Sequence, residues 1–186
     1  YTSLMQQDEK DALAILNRFQ TVLKETADDF GGEVIKSYGD GSLLLFPSTV
    51  NAVECAQDLQ MAFEEAPKVP LRIGIHIGEF VRRGNDIFGN GVNIAARIES
   101  VGIAGSVLFS EDVAKRIKNH PEFETVCLGT FDFKNVAEEI EVFALTNDGM
   151  AVPRKNQSKT ASIAVLPFED MSALKDQEYF GDGIAE

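Results

Sequence analysis

Residues 34–46 read VIKSYGDGSLLLF, two apolar runs joined by Gly39-Asp40-Gly41. Glycine supplies the positive φ angles that hairpin turns require, so this stretch predicts two antiparallel strands over 33–38 and 42–46. Lys36 stands four residues before Asp40, and Asp40 occupies the predicted turn. Asp40 is therefore either an ordinary turn residue or a carboxylate presented to a ligand.

Helical and extended patterns alternate on both sides of this hairpin. Apolar residues at helical spacing predict one helix over 8–30 and another that Ser48 or Thr49 caps and that ends near Ala66. Alternating isoleucines in LRIGIHIG, residues 71–78, predict a strand. The further predicted elements are a polar loop holding Arg82 and Arg83, a short strand and turn after residue 85, a helix over 92–100, a strand over 105–110, a helix capped by Ser110, and strands over 123–130 and 139–145.

Strands alternating with helices predict an α/β domain over residues 1–146. Residues 147–161 read NDGMAVPRKNQSKTA, which is typical of a linker. SIAVLPF, at residues 162–168, predicts a strand that opens a second module, cut short at residue 186.

Charge and composition restrict the partners. Seventeen basic and 30 acidic residues give a net charge of −13, which argues against nucleic acid and anionic membranes as partners. No run approaches the roughly 18 apolar residues of a membrane span, and no signal peptide is recognised. Cys55 and Cys127 lie in apolar contexts and are interpreted as buried free thiols of a reducing compartment. We therefore expect a cytoplasmic protein.

Several polar residues are candidates for chemistry, and each also has an ordinary structural interpretation. Asn93 and Arg97 are four residues apart, hence on one helix face, where Arg97 either suits phosphate oxygens or is a solvated residue paired with Glu99 or another acid. Asp86 is either a turn residue or an acceptor for an amino group. Lys36 either reads a ligand or faces solvent at a sheet edge. A metal role for His76 is disfavoured, because no second histidine is near in sequence.

Four segments together resemble the class III adenylate and guanylate cyclase catalytic domain, over residues 1–146. GGEVIKSYGDGSLLLF (31–46) resembles the family segment in which a lysine precedes the second metal aspartate by four residues. LRIGIHIGEF (71–80) resembles its central strand. DIFGNGVNIAARIES (86–100) resembles the segment that supplies a purine-reading aspartate, an asparagine and an arginine. YTSLM (1–5) resembles the end of the first metal motif, whose backbone amides hold the triphosphate.

The resemblance implies a role for each matching residue. Asp40 would be a ligand of two Mg²⁺ or Mn²⁺ ions, and Lys36 and Asp86 would read the adenine edge. Asn93 would orient the ribose, and Arg97 would stabilise charge on the α-phosphate. The remaining substrate-binding candidates are Lys134, in FDFKNV (131–136), together with Tyr1 and Thr2.

The resemblance also implies a fold and an activity. We expect a ferredoxin-like βαββαβ sheet with helices packed on it, and an adenylate cyclase acting on ATP as a homodimer with shared active sites. The alternatives are a guanylate cyclase and a non-catalytic nucleotide-sensing dimer module. The family's first strand and first metal aspartate precede the position of Tyr1, so we expect the chain beginning at Tyr1 to have impaired activity. SIAVLPFEDMSALKDQEYFGDGIAE (162–186) resembles the start of a TolB-amino-terminal-like module.

Overall fold

A computed structural model of the protein describes residues 9–38, 41–84, 86–136 and 138–154. These residues form an α/β fold, which confirms the predicted class. Its helices are α1 (Glu9–Asp29), α2 (Thr49–Glu64), α3 (Asn90–Ser100) and α4 (Glu111–Ile117). Its strands are β1 (Glu33–Tyr38), β2 (Gly41–Leu45), β3 (Ile73–Ile75), β4 (Val81–Arg83), β5 (Asp86–Phe88), β6 (Val107–Ser110), β7 (Thr125–Phe131) and β8 (Ile140–Leu145).

A mixed four-stranded sheet forms the centre of the fold, in the order β3-β6-β8-β7. β3 runs parallel to β6, and the other two pairs are antiparallel. Val107 and Phe109 of β6 pack with α2 and α4, whereas Leu108 packs with α3. Successive side chains of a strand point to opposite faces, so helices cover the sheet on both sides. This two-sided burial explains why β6 is an uninterrupted apolar run.

The predicted hairpin around Gly39-Asp40-Gly41 is present as β1 and β2, whose last aligned pair is Tyr38 and Gly41. The prediction of a loop at Arg82 and Arg83 was wrong, because both belong to β4, which pairs with β5. Gly84 adopts a φ of 60°, which lets the chain reverse between Arg83 and its partner Asp86. Both hairpins are hydrogen-bonded separately from the central sheet.

Helix boundaries follow local contacts. Ser48 caps α2 as predicted, and its side chain accepts a hydrogen bond from the backbone N of Asn51 at 3.3 Å. α3 begins at Asn90 rather than Val92. Ser110 precedes α4, but its side chain forms no capping bond, contrary to the prediction. Its Oγ lies 2.9 Å from Nδ1 of His76 instead.

The strand predicted over 71–78 is shorter than expected, since β3 covers Ile73–Ile75 alone. Gly74 lies at its centre, directly against α3. A Cβ there would lie 2.4 Å from the backbone N of Glu99 and 2.5 Å from the carbonyl O of Ala95. A residue without a side chain therefore lets the helix backbone rest on the strand.

Cys55 is a buried free thiol, as predicted, whereas Cys127 is only partly buried and its Sγ donates a hydrogen bond to Oε1 of Glu141 at 3.2 Å. Burial, with a smaller contribution from the charge of Asp58, raises the pKa of Cys55 to about 12, so this thiol is an unreactive part of the core. Within the described ranges, no helix is long and apolar enough to cross a membrane. The predicted module from residue 162 lies outside the described residues.

Candidate nucleotide site

Lys36 and Asp86 meet through their side chains. Nζ of Lys36 donates a hydrogen bond to Oδ2 of Asp86 at 2.5 Å, and the side chains are 36% and 26% exposed. The second carboxylate oxygen, Oδ1, accepts a hydrogen bond from the backbone N of Ile87 at 2.9 Å. The structure thus places a cation and an anion beside each other, within reach of solvent, on β1 and β5.

Electrostatics keep the Asp86 carboxylate ionised. The hydrogen bond from Lys36 lowers the pKa of Asp86, and the backbone N–H of Ile87 and the charge of Lys36 act in the same direction against a smaller effect of burial. At neutral pH the pair therefore presents a charged donor and a charged acceptor. Such a pair can read two adjacent polar atoms of opposite hydrogen-bonding character.

Asn93 and Arg97 are both exposed on α3. The contact at Gly74 sets Ala95 and Glu99 against β3. Because a helix turns about 100° per residue, positions two away from these lie on the far side of the helix. The packing of α3 on β3 therefore turns Asn93 and Arg97 away from the strand, as an i, i+4 pair.

Arg97 does not pair with Glu99, which was one of its two predicted interpretations. Glu99 instead pairs with Arg72, at 2.8 Å from its Nε. Residues two apart on a helix do not face each other, which explains the choice of partner. Arg97 forms no ion pair with another described residue, so its guanidinium is available for an external anion.

Lys134 lies in a turn after β7 and is exposed. The turn residue that follows, Asn135, has a φ of 65°. Its neighbour Phe133 is buried in the cluster that contains Ile94 and Ile98 of α3. The packing of Phe133 thereby fixes the backbone at Lys134 near α3. The side chain of Lys134 makes no ion pair or hydrogen bond with another described residue.

Asp40, Tyr1 and Thr2 lie outside the described residues. Among the residues that are described, no group of three or more histidine, cysteine, aspartate or glutamate side chains could hold a metal ion. Asp86 belongs to no such group of described residues, and its carboxylate bonds to Lys36 and to the Ile87 amide. Asp40 remains the candidate metal ligand.

One feature of the site was missed by the sequence analysis. The segment Gly89-Asn90-Gly91 forms the start of α3 and lies against the chain that follows β3. A Cβ on Gly78 would lie 2.7 Å from Cα of Gly91, and one on Gly91 would lie 2.9 Å from Cα of Gly78. Paired glycines in HIGEF and FGNGV are the sequence signal for this contact. The contact holds the start of α3 beside the strand that positions it.

The described candidate residues do not line the surface depression found among residues 111–143. This depression of about 350 Å³ lies on α4 and the sheet, where Ile117, Phe123 and Phe143 line it together with Lys115 and Lys118. Lys36 and Asp86 are partly exposed, and Asn93 and Arg97 are exposed.

Comparisons with known proteins identify the family of the chain. The adenylate and guanylate cyclase catalytic domain family matches residues 1–147. A Rhizobium meliloti protein provisionally named adenylate cyclase 3 is 35% identical over 202 aligned positions, covering 100% of this chain and 34% of the relative. An adenylate cyclase of Streptomyces griseus is 29% identical over 124 positions, covering 66% of this chain and 31% of its own. The chain thus spans about a third of the length of these two relatives.

A solved structure shares the fold. The adenylate/guanylate cyclase/hydrolase of Silicibacter pomeroyi is 29% identical to this chain, with a TM-score of 0.68. The match covers 80% of this chain and 90% of that chain. The chain belongs to the adenylate and guanylate cyclase catalytic domain family.

Proposed function

We propose that this domain is an adenylate cyclase, which converts ATP to cyclic AMP and pyrophosphate. The observation that carries the proposal is the pairing of Lys36 with Asp86. Both the Rhizobium meliloti and the Streptomyces griseus relatives are named as adenylate cyclases, which supports the same substrate. We further propose that the protein acts in the cytoplasm.

The Lys36–Asp86 pair fits adenine better than guanine. Adenine offers a bare acceptor at N1 and an amino group at position 6, so Lys36 donates to the first and Asp86 accepts from the second. Guanine reverses both atoms, with a proton on N1 and a carbonyl oxygen at position 6. Lys36 can still donate to that oxygen, but the Asp86 carboxylate then faces it without a proton between them.

Asn93 and Arg97 follow this pair along the chain and supply the next contacts. Asn93 orients the ribose through its amide. Arg97 has a planar set of donors that suits the oxygens of the α-phosphate, where negative charge increases in the transition state. The exposed, i, i+4 placement of the two side chains on α3 lets them act on one bound nucleotide.

The reaction is an in-line displacement at phosphorus. The ribose 3′-oxygen attacks the α-phosphorus, pyrophosphate leaves, and the 3′-hydroxyl proton passes to solvent or a phosphate oxygen. Two Mg²⁺ or Mn²⁺ ions, held by Asp40 and a second aspartate, would supply positive charge that lowers the pKa of the 3′-hydroxyl. The contribution of the described residues is positioning and charge stabilisation.

The proposed active unit is a homodimer with two shared sites. Asp40 acts with the metal ions in one chain, and Lys36, Asp86, Asn93 and Arg97 of the other chain hold the nucleotide. The exposure of Lys36, Asp86, Asn93 and Arg97 supports this arrangement, because all four side chains are accessible to a nucleotide held between two chains. The TolB-like assignment of residues 162–186 likewise remains a proposal, based on its sequence.

A direct assay tests the proposal. The full-length protein is incubated with Mn²⁺ and either ATP or GTP, and cyclic products are quantified by mass spectrometry. We expect cyclic AMP, with a kcat/KM for ATP at least about tenfold above that for GTP, on the scale of one unpaired polar group. Predominant cyclic GMP would show a guanylate cyclase. Nucleotide binding without a cyclic product would show a nucleotide sensor.

A further inference from the structure

The β4–β5 hairpin, which carries Asp86, is short and mostly exposed. Each of its strands is three residues long. Val81 and Phe88, which face each other across it, are 61% and 53% exposed, while Ile87 is buried. An isolated two-stranded hairpin is marginally stable in water. The position of Asp86 relative to Lys36 therefore depends on the contacts that fasten this hairpin to β1.

Arg82 and Glu33 form one such contact. Nη1 of Arg82 donates to Oε1 of Glu33 at 3.0 Å, and Nη2 donates to Oε2 at 2.5 Å. Two parallel bonds fix the relative orientation of the groups as well as their distance. The hydrogen bond lowers the pKa of Glu33 and raises the pKa of Arg82, so both are charged over a wide pH range.

An irregularity in β1 lets this strand make both ion pairs. Val34 is aligned with Leu44 and Lys36 with Leu43, so Ile35 is an extra residue on β1. In a regular strand, residues three positions apart point to opposite faces. Because a bulge changes that alternation, Glu33 and Lys36 can both reach the β4–β5 hairpin.

We propose that Glu33 and Arg82 are positioning residues for purine selection, which hold Asp86 in its place beside Lys36. This inference rests on the proposed nucleotide cyclase function. Neither residue touches the base. The Glu33–Arg82 ion pair, called the clamp below, fastens β4 to β1. β4 in turn pairs with β5, where Asp86 is aligned with Arg83. When the clamp is broken, the Lys36–Asp86 pair loses its fixed geometry, and adenine loses its advantage over guanine.

The Glu33–Arg82 pair differs from the two i, i+4 ion pairs of the described chain. Glu64–Lys68 and Glu111–Lys115 each join residues four apart within or next to a single helix. Glu33 and Arg82 are separated by 49 positions and join two hairpins. Exposed ion pairs contribute little to global stability. We therefore expect the clamp to affect the orientation of Asp86 and to leave the melting temperature almost unchanged.

Kinetic selectivity provides the first test. The variants are Glu33→Gln, Arg82→Gln and the charge exchange Glu33→Arg with Arg82→Glu, and Glu64→Gln is the matched control from a remote exposed pair. We expect each single variant to lower the ratio of kcat/KM for ATP over GTP by about two- to fivefold, the scale of an exposed ion pair. The exchange should restore part of that ratio, and the control should leave it unchanged. An unchanged ratio in both single variants of an active protein would overturn the inference.

A second test does not require activity. The pKa of Asp86 is measured by side-chain NMR titration in the parent and in Glu33→Gln. Removal of a nearby negative charge would by itself lower the pKa of Asp86, whereas loosening its contact with Lys36 raises it. We expect the pKa of Asp86 to rise in Glu33→Gln. A fall or no change would overturn the proposed role of the clamp. Absence of any cyclic product from the parent would instead contradict the proposed function. The NMR result would still decide whether the clamp positions Asp86.

Discussion

Lys36 on β1 and Asp86 on β5 are 50 residues apart in sequence, and their side chains meet at 2.5 Å. A single chain thus carries both groups that are proposed to read the purine, already oriented towards each other. Each charge stabilises the ionised form of its partner, which keeps one strong donor and one strong acceptor side by side. With Lys36 facing N1 and Asp86 facing position 6, as proposed, the pairing favours a base with an acceptor at N1 and a donor at position 6.

Exchanging the chemistry of this pair should change the preferred base. In the double variant Lys36→Glu with Asp86→Cys, the glutamate accepts hydrogen bonds from N1–H and the 2-amino group of guanine. The Asp86 carboxylate no longer faces the 6-carbonyl oxygen. We expect the ratio of kcat/KM for ATP over GTP to fall by about tenfold or more. Steady-state kinetics with both nucleotides measure the change.

The melting temperature and the oligomeric state of the double variant serve as controls for this exchange. Both side chains are partly exposed, so the fold should tolerate their replacement. A folded double variant that keeps the preference of the parent for ATP would show that Lys36 and Asp86 do not read the base.

Complementation tests the shared site. Arg97→Ala removes a donor to the transition state and should lower kcat by about 100- to 1,000-fold, while Asp40→Ala removes the candidate metal ligand. Each variant should be inactive alone. A 1:1 mixture should recover up to about one quarter of the parent activity, because random pairing makes half of the dimers mixed and each mixed dimer has one intact site. Lack of recovery, with mixed dimers demonstrated by native mass spectrometry, would indicate sites contained within one chain.

Gly74 should be indispensable for the placement of α3. In Gly74→Ala, the new methyl group would lie 2.4 Å from the backbone N of Glu99, so the helix must move away from β3. We expect a loss of unfolding free energy of about 3 kcal/mol, together with loss of activity as Asn93 and Arg97 are displaced. Gly84→Ala is the matched control: it meets open space at a φ of +60° and should cost about 1–2 kcal/mol of backbone strain. Urea unfolding of the two variants compares these values, and equal destabilisation would contradict the close-contact explanation.

His76 should make stability depend on pH. Burial lowers the pKa of His76 below its ordinary 6.5, although the charge of Asp112 opposes the shift. Between that ordinary value and the lower folded pKa, the unfolded chain binds the proton more readily than the folded protein. The unfolding free energy should therefore decrease as the pH falls below about 6.5.

Denaturant unfolding from pH 5 to pH 8 measures this dependence in the parent and in His76→Gln. The variant should show a shallower slope over the acidic part of the range, since it no longer has the titrating ring. If both proteins show the same slope, burial of His76 is not the source of the pH dependence.

Some features of the fold follow from local sequence because they depend on neighbouring residues. The β1–β2 hairpin follows from the glycines at 39 and 41 between two apolar runs, and the start of α2 follows from Ser48. The i, i+4 relation of Asn93 and Arg97 needs nothing beyond helical periodicity. Ser110 illustrates where local reasoning fails, since its hydroxyl bonds to His76, 34 positions away, instead of capping α4.

The sequence by itself determined the family, the α/β class and the residue types available for the chemistry, since these are set by local patterns and by motif spacing. Tertiary structure alone decided which of those residues meet. The Lys36–Asp86 and Glu33–Arg82 pairs join β1 to a hairpin about 50 positions away, and an irregularity at Ile35 lets one strand make both pairs. Such contacts depend on how whole elements pack, because packing determines which distant side chains approach within hydrogen-bonding distance.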